Sequence, residues 1–205
     1  MNALEVLRNM VRHYAALDSY RDTGYVTRIS LPSGGVNRLF FSTLYQQPSL
    51  FRFTFFRRHP YPPLAHILTE HTAGFDGIEA YVLKKRPGDS RALKELTSLK
   101  AAIAGATGIS SGSAHTIGRL LLPDVDGLSV LDLLNPQFKP DAVMDGPVCY
   151  SVTAQLPRGG ERELWIEKDT LLLRKVIGVN ELARTEEVRE NILVNEPLES
   201  RLFAA

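Results

Sequence analysis

The sequence predicts an α+β fold, a strongly curved antiparallel sheet of about nine strands with helices packed on its concave side, and three observations predict it. The first is the stretch from Asp145 to Val179. There, two groups of turn formers, Pro157-Arg158-Gly159-Gly160 and Glu167-Lys168-Asp169-Thr170, separate three runs rich in β-branched, aromatic and aliphatic residues, the pattern of a three-strand meander. The second is the order of elements: a helix, five strands, a helical insertion and four strands. Every strand connection is short except the insertion, which favours antiparallel neighbours. The third is that helix and strand do not alternate along the chain, so a parallel sheet would have no crossover helices.

Between Asn2 and Leu17 the apolar residues Ala3, Leu4, Leu7, Met10, Val11, Tyr14 and Leu17 recur at three and four, forming one helical stripe. Asn2 is suited to cap this helix and Asp18-Ser19 to end it. Tyr20 to Leu31 reads as a strand stopped by Pro32-Ser33-Gly34-Gly35. Val36 to Gln46 and Ser49 to Arg58 follow, separated by Gln47-Pro48. On the last of these Phe51, Phe53 and Phe55 point one way and Arg52 and Thr54 the other, so one strand face carries a wall of phenylalanines. Periodicity fits two readings of that wall, an ordinary core and the lining of a lipophilic cavity. His59 to Pro63, three prolines in five residues, reads as loop. Ala65 to Ala73 and Ile78 to Lys85 pair around Phe75-Asp76-Gly77, because an aspartate-glycine pair tolerates the positive φ of a tight hairpin.

From Ser90 the pattern changes. Ser90 is expected to cap a helix carrying Leu93, Leu96, Leu99 and Ile103, ended by the Ala/Gly-rich run Ala101 to Gly108. Ser113 is expected to cap a second helix with Ile117, Leu120 and Leu121, stopped by Pro123. Leu128 to Leu134 is a third apolar turn that stops at Pro136. The helical insertion thus covers roughly 89–135. In the meander Val148, Tyr150, Val152 and Ala154 alternate with Cys149, Ser151, Thr153 and Gln155, and Leu164 and Ile166 alternate with Glu163 and Glu167, giving the sheet one apolar face. Thr185 to Val194 is the last strand, closed by Asn195-Glu196-Pro197. With no repeat and no low-complexity linker, residues 1–205 read as one domain.

Composition removes several function classes. A chain of 205 residues can bury roughly 70% of its unfolded surface without disulfides or metals. A formal net charge of +1, from 24 basic and 23 acidic residues, provides no concentrated positive face, so nucleic acid is not an expected partner. Arg57-Arg58 and Lys84-Lys85-Arg86 read as solvated strand ends. The lone Cys149 excludes an internal disulfide and, inside a strand, reads as a buried, inert thiol. No apolar run approaches the ~18 residues of a membrane span, and the N-terminus shows no positive segment followed by an apolar core and cleavage site. The expectation is a soluble protein without an integral membrane segment.

Tests for chemistry return little. Gly108-Ile109-Ser110-Ser111-Gly112 matches the Gly-x-Ser-x-Gly pattern of hydrolase elbows, whose serine is exposed by a strand-to-helix turn. Here the flanks are helical, so the match reads as a helix-to-helix loop, and His115 nearby in sequence does not make a triad. His66 and His71, five apart in a strand, fall on opposite faces, and His13 and His59 stand alone; no metal site is expected. Asp124 and Asp126 flank a turn and Glu186-Glu187 begins a polar strand, so both pairs read as solvated. The glycines at 105, 108, 112 and 118 lack the Lys-Ser/Thr ending of a phosphate loop, and no cofactor is expected.

The residues nevertheless resemble a known family. An amphipathic helix leading into Leu17-Asp18-Ser19-Tyr20, the strand Phe51-Arg52-Phe53, the Phe75-Asp76-Gly77 hairpin and the helical insertion come first. Asp145-Gly146 with Cys149-Tyr150, Leu164-Trp165-Ile166-Glu167-Lys168, Leu171-Leu172-Leu173-Arg174 and the closing Asn195 to Phe203 complete the set. Together they resemble the outer-membrane lipoprotein carrier (LolA/LolB-like) superfamily, and within it an uncharacterised predicted-periplasmic branch, over nearly the whole chain. The resemblance implies an unclosed half-barrel whose apolar concave face is shielded by a helical lid that moves aside for acyl chains. It implies a non-enzymatic periplasmic carrier, with the cytoplasm as the alternative location. The partners would be lipid or lipoprotein acyl chains and, as a second class, envelope proteins. The expected ligand-facing residues are Phe51, Phe53, Phe55, Tyr81, Leu83, Leu120, Leu121, Val152, Ile166 and Leu173. Two other readings stay open: an envelope sensor or protein-interaction domain whose core is filled, with the phenylalanines packed on Leu7, Val11 and Tyr14, and a serine hydrolase using Ser110.

Overall fold

A computed structural model of the chain describes residues 1–58, 67–88 and 92–205. Helix α1 (Ala3–Ala15) starts at a reciprocal cap: Asn2 Oδ1 accepts from the Glu5 N–H at 2.9 Å while Glu5 Oε2 accepts from the Asn2 N–H at 2.7 Å. Five strands follow, β1 (Ser19–Ser30), β2 (Val36–Gln46), β3 (Leu50–Arg58), β4 (Leu68–Phe75) and β5 (Ala80–Lys85). The turn between β4 and β5 is held by Asp76 Oδ1, which accepts from the Ile78 and Glu79 N–H groups at 2.9 and 2.8 Å. Next come β6 (Ala92–Leu96), α2 (Leu99–Ile109) and α3 (Ser113–Leu121). The chain then completes the sheet with β7 (Leu134–Val143), β8 (Val148–Gln155), β9 (Glu161–Glu167), β10 (Leu173–Val179) and β11 (Ala183–Val194).

All eleven strands lie in one antiparallel sheet ordered β6-β5-β4-β3-β2-β1-β11-β10-β9-β8-β7. The first and last strands pair in its middle, and β6 and β7 are unjoined edges, so the sheet curls without closing. One connection does not join neighbours: from β6 the chain must travel to the opposite edge before β7 can begin. It carries α2 and α3 on the way. Helix α2 packs on β4, β5 and β6, α3 packs on α2 and α1, and α1 packs on β7 and the short 3-10 turn Val130–Asp132. The helices therefore bridge the concave side from edge to edge.

Register assigns the faces. Phe51, Phe53 and Phe55 on β3 oppose Tyr45, Thr43 and Phe41 on β2, which oppose Tyr20, Asp22 and Gly24 on β1. In the other half Val152, Leu164 and Val176 form one cross-strand row and Tyr150, Ile166 and Leu173 another. Gly24 has a steric reason: a Cβ there would lie 2.1 Å from the Val188 carbonyl oxygen and 2.6 Å from Phe41 Cζ, so only glycine lets Phe41 lie flat across β1. The opposite face of β3 to β5 is covered by the C-terminal segment, where Arg52 Nη1 donates to the Leu202 carbonyl at 2.9 Å and the Tyr81 hydroxyl donates to that of Phe203.

Three expectations are corrected. Leu93 and Leu96 lie on edge strand β6, paired with Leu83 and Ala80, and not on a helix. The helix begins at Leu99, with Ser98 Oγ accepting from the Ala101 N–H at 3.2 Å, and Ala101 to Gly108 is its body, not its end. Leu134–Val143 is a strand despite Pro136 and Pro140. It is an edge strand, and its pairing with β8 slips between Leu134 and Gln137 and between Lys139 and Ala142, so the prolines interrupt no continuous ladder. These two strands raise the count from nine to eleven. Finally, Gly112 and not Ser113 occupies the cap position of α3, and Ser113 Oγ donates back to the Ser110 carbonyl at 2.8 Å. The expected loop His59 to Pro63, the start of the Ala65 strand, His66 and the cap Ser90 lie outside the described residues.

Candidate functional site

Helix α2 is Leu-Lys-Ala-Ala-Ile-Ala-Gly-Ala-Thr-Gly-Ile. On the flank toward β4, β5 and β6 it carries Ala101, Gly105 and Ala106, of which Ala106 is buried and Gly105 stands exposed at the rim. A cavity of about 470 Å³ remains there, within the ~300–1,000 Å³ of ordinary small-molecule sites. Its walls are Phe55 of β3, Ala73 of β4, Val82 of β5, Leu93 and Leu96 of β6 and Ile109 at the end of α2. A Cβ built on Gly105 meets no atom within 4 Å. Leu93 and Ile109 stay partly exposed at its mouth. The polar groups along it are His71, Thr72, Lys84 and Lys94. The His71 ring stacks on Phe55 with centroids 5.0 Å apart and planes 9° from parallel. Burial, then Lys84, Arg57 and Arg86, hold His71 below the usual histidine range.

The residues read from the sequence as ligand-facing divide between this cavity and closed core. Phe55 and Leu83 border the cavity, Leu83 from a position that alternates out of the concave face. Tyr81 faces the other side of the sheet, beneath Phe203. Phe51 and Phe53 are fully buried in one cluster with Leu7 and Tyr14, and Val11 packs against it. Leu120 and Leu121 of α3 and Val152, Ile166 and Leu173 of the meander belong to the same cluster. The middle of the concave face is thus filled; one hollow lies at its β6 end, and another of about 500 Å³, lined by Tyr45, Pro48, Leu99, Leu121 and Leu122, lies where α2 and α3 meet β2. Ser110 ends α2, is buried, and its Oγ accepts from the Ala114 N–H at 3.3 Å, in a junction between helices. The His115 ring is within 3.0 Å of the Asp126 carbonyl. Cys149 is buried, and burial raises its thiol pKa. Among the described residues no group of three His, Cys, Asp or Glu could hold a metal ion, and no helix is long and apolar enough to cross a membrane.

The filled half contains a polar cluster that the sequence reading passed over. Glu187, read as solvated beside Glu186, is buried, and so is Arg189. Arg189 Nη1 donates to Asp22 Oδ2 at 2.5 Å, and Nη2 donates to Glu187 Oε1 and, at 3.1 Å, to the carbonyl of Ser113, the first residue of α3. Its guanidinium lies 4.8 Å from the Phe41 ring centroid. The Tyr20 hydroxyl adds a 2.7 Å bond to Asp22 Oδ2. Burial raises the Glu187 carboxyl, against the pull of Arg189 and Arg162. Beside the cluster, Tyr14 Oη accepts from the Leu173 N–H at 3.0 Å and ties α1 to β10.

Burial pushes the Tyr14 hydroxyl up to about 12 from 10.0. A folded-state pKa above the unfolded one gives stability that is complete below pH 10 and lost as pH rises through 12. Between those values unfolding should become easier by about 1.4 kcal/mol per pH unit. Tyr14→Phe should remove its share of that slope, leaving the share of Tyr20, whose hydroxyl burial also raises, and cost about 1 kcal/mol at neutral pH by orphaning the Leu173 N–H. Urea titrations of both proteins from pH 8 to 11 measure it.

No family model matches the chain, and no curated protein matches it in sequence. Solved structures do match. LprF from Mycobacterium bovis aligns with a TM-score of 0.56 at 12% identity, covering 96% of this chain and 94% of that one. The lipoprotein LppX of Mycobacterium tuberculosis aligns with a TM-score of 0.54 at 12% identity, covering 97% of each chain. A LolA superfamily protein from Nitrosomonas europaea covers 100% of this chain and 98% of its own at 11% identity, with a TM-score of 0.39. At such identities the likeness is one of fold. The architecture expected from the sequence, an open antiparallel sheet with helices on one side, is the one this chain shares with LprF and LppX.

Proposed function

We propose that the protein is a non-enzymatic binding or carrier protein of the periplasm for a lipidic or lipoprotein acyl ligand, and that the acyl chain occupies the cavity between α2 and β4 to β6. One observation supports this: an apolar cavity of about 470 Å³ lies between β4 to β6 and a flank of α2 that carries only Ala101, Gly105 and Ala106 before Ile109. Phe55, Val82, Leu93, Leu96 and Ile109 offer such a chain only dispersion and exclusion from water, which suffices. Each buried methylene contributes about 0.8 kcal/mol, so ten supply roughly 8 kcal/mol before the cost of association. The fold likeness supports the scaffold, an open sheet with helices over its hollow. Among the described residues, Thr72 Oγ1 is paired with Thr54 Oγ1 at 3.0 Å and not with His71.

The test is displacement of the neutral dye Nile red by dodecyl ligands, together with native mass spectrometry of protein purified gently from cells. The expected outcome is one saturable site at micromolar affinity and co-purified amphiphile mass. Absence of both overturns the reading. A protein-interaction domain of the same fold is the second reading, favoured by exposed Leu134, Phe138 and Val143 on edge strand β7. It predicts retention of a protein partner by the chain whether or not the cavity is blocked.

A further inference from the structure

The cavity under α2 opens, at Ile109, beside a second hollow. That hollow, about 640 Å³, is lined by Arg28 and Ser30 of β1, Asn37 of β2, Arg57 of β3 and Gly108 and Ser111 at the end of α2, and Ile109 belongs to both. The two differ in chemistry. The first is walled mainly by hydrocarbon, the second mainly by polar groups. They agree in sign. Arg28 and Arg57 line one, His71, Lys84 and Lys94 line the other, and among the described residues no aspartate or glutamate lines either. In a chain with 24 basic and 23 acidic residues this one-sidedness is local. Among the described residues none of Arg28, Arg57, Lys84 and Lys94 enters an ion pair, so no carboxylate neutralises this rim.

Register gives the cations a common rim. Phe55, His71 and Lys84 stand in one cross-strand row on the concave face, and Arg57, two residues beyond Phe55, shares that face. The field converges on the row: Lys84, Arg57 and Arg86 all act, after burial, to lower the affinity of His71 for a proton.

The geometry points to an anionic amphiphile, its alkyl chain beneath α2 and its carboxylate or phosphate monoester head against Arg57, Arg28 and Lys84. This rests on the acyl-binding reading and adds to it the sign and the place of the head group. Guanidinium groups suit either head because they present paired N–H donors to two oxygens at once. A neutral head would leave unpaired cations facing it.

Calorimetric titration of the full chain at low ionic strength with dodecanoate, dodecyl phosphate, 1-dodecanol and inorganic phosphate tests this. Both dodecyl anions should bind at least about tenfold more tightly than the alcohol. The advantage should shrink when salt approaches 0.5 M, because these side chains are exposed and screened. R28Q, R57Q and K84Q combined should bring the anions down to the affinity of the alcohol, and R57K alone, which keeps the charge, should retain most of the difference. The ranking of the two anions separates a free fatty acid from a phosphate-bearing lipid, and either order supports the inference. Equal affinity for alcohol and anions overturns it and leaves the acyl site standing. Inorganic phosphate binding as tightly as dodecyl phosphate also overturns it, since the tail would then be idle. Failure of all three dodecyl compounds removes the acyl reading itself.

Discussion

Arg189→Met should lower the free energy of unfolding by about 3–5 kcal/mol at pH 7, because removing one member of a buried charge cluster strands the others. Arg189 is 1% exposed and Asp22 3%, so the carboxylates of Asp22 and Glu187 would face hydrocarbon with no cation between them. Methionine fills most of the volume but donates nothing to Asp22, Glu187 or the Ser113 carbonyl, and the start of α3 loses its tie to β11. The pH dependence identifies the cause. Burial already raises the Glu187 carboxyl against the pull of Arg189, and the variant removes that pull. Its contribution is then complete below the unfolded pKa near 4.5 and is lost as pH rises, so the deficit should narrow at pH 5 and widen at pH 8. A packing defect would show no such slope. The triple variant D22N/E187Q/R189M should recover more than half of the loss. Chemical denaturation of the three proteins at both pH values decides, and a loss under 1 kcal/mol would mean that the cluster is already solvated.

What the sequence displayed and what it hid follow from how local each signal is. The Asn2 cap, the phenylalanine face and the meander were legible because a single strand or helix carries the whole pattern. The interval of three between Leu93, Leu96 and Leu99 suits a helix, but the first two pair with β5, a neighbour that periodicity cannot display. Pro136 reads as the stop of an apolar turn, and the edge placement that lets a strand run through it is a property of the whole sheet. Glu187 and Arg189, two apart on one strand, share a face, but that face can be a buried one only because Asp22 arrives from 167 residues away. The cavity was hidden differently. Its signal was in plain view as the Ala/Gly run Ala101 to Gly108, which ends helices as readily as it thins one side of them.

That thin side yields the other large effect. Gly105→Trp should abolish or weaken acyl binding at least tenfold while the protein stays as stable or becomes more so. The two halves of this expectation have separate causes. Gly105 lies inside α2 with ordinary helical backbone and room for a side chain, so replacing it relieves a helix penalty of about 0.5–1 kcal/mol. An indole in the open space beside Gly105 also covers apolar surface of the cavity that is now partly wet. The same ring takes the space of the ligand. Displacing only two methylenes costs about 1.6 kcal/mol of binding, already more than tenfold. Gly105→Ala is the control, expected to raise stability by the helix contribution and to leave most of the cavity free. A tryptophan variant that gains stability and loses dodecanoate in the same preparation would mean that evolution holds this space open against the preference of the fold, as sites for ligands require. If it binds dodecanoate as the parent does, the chain lies somewhere other than beneath α2, and the filled-core reading of the whole concave face gains the ground it loses.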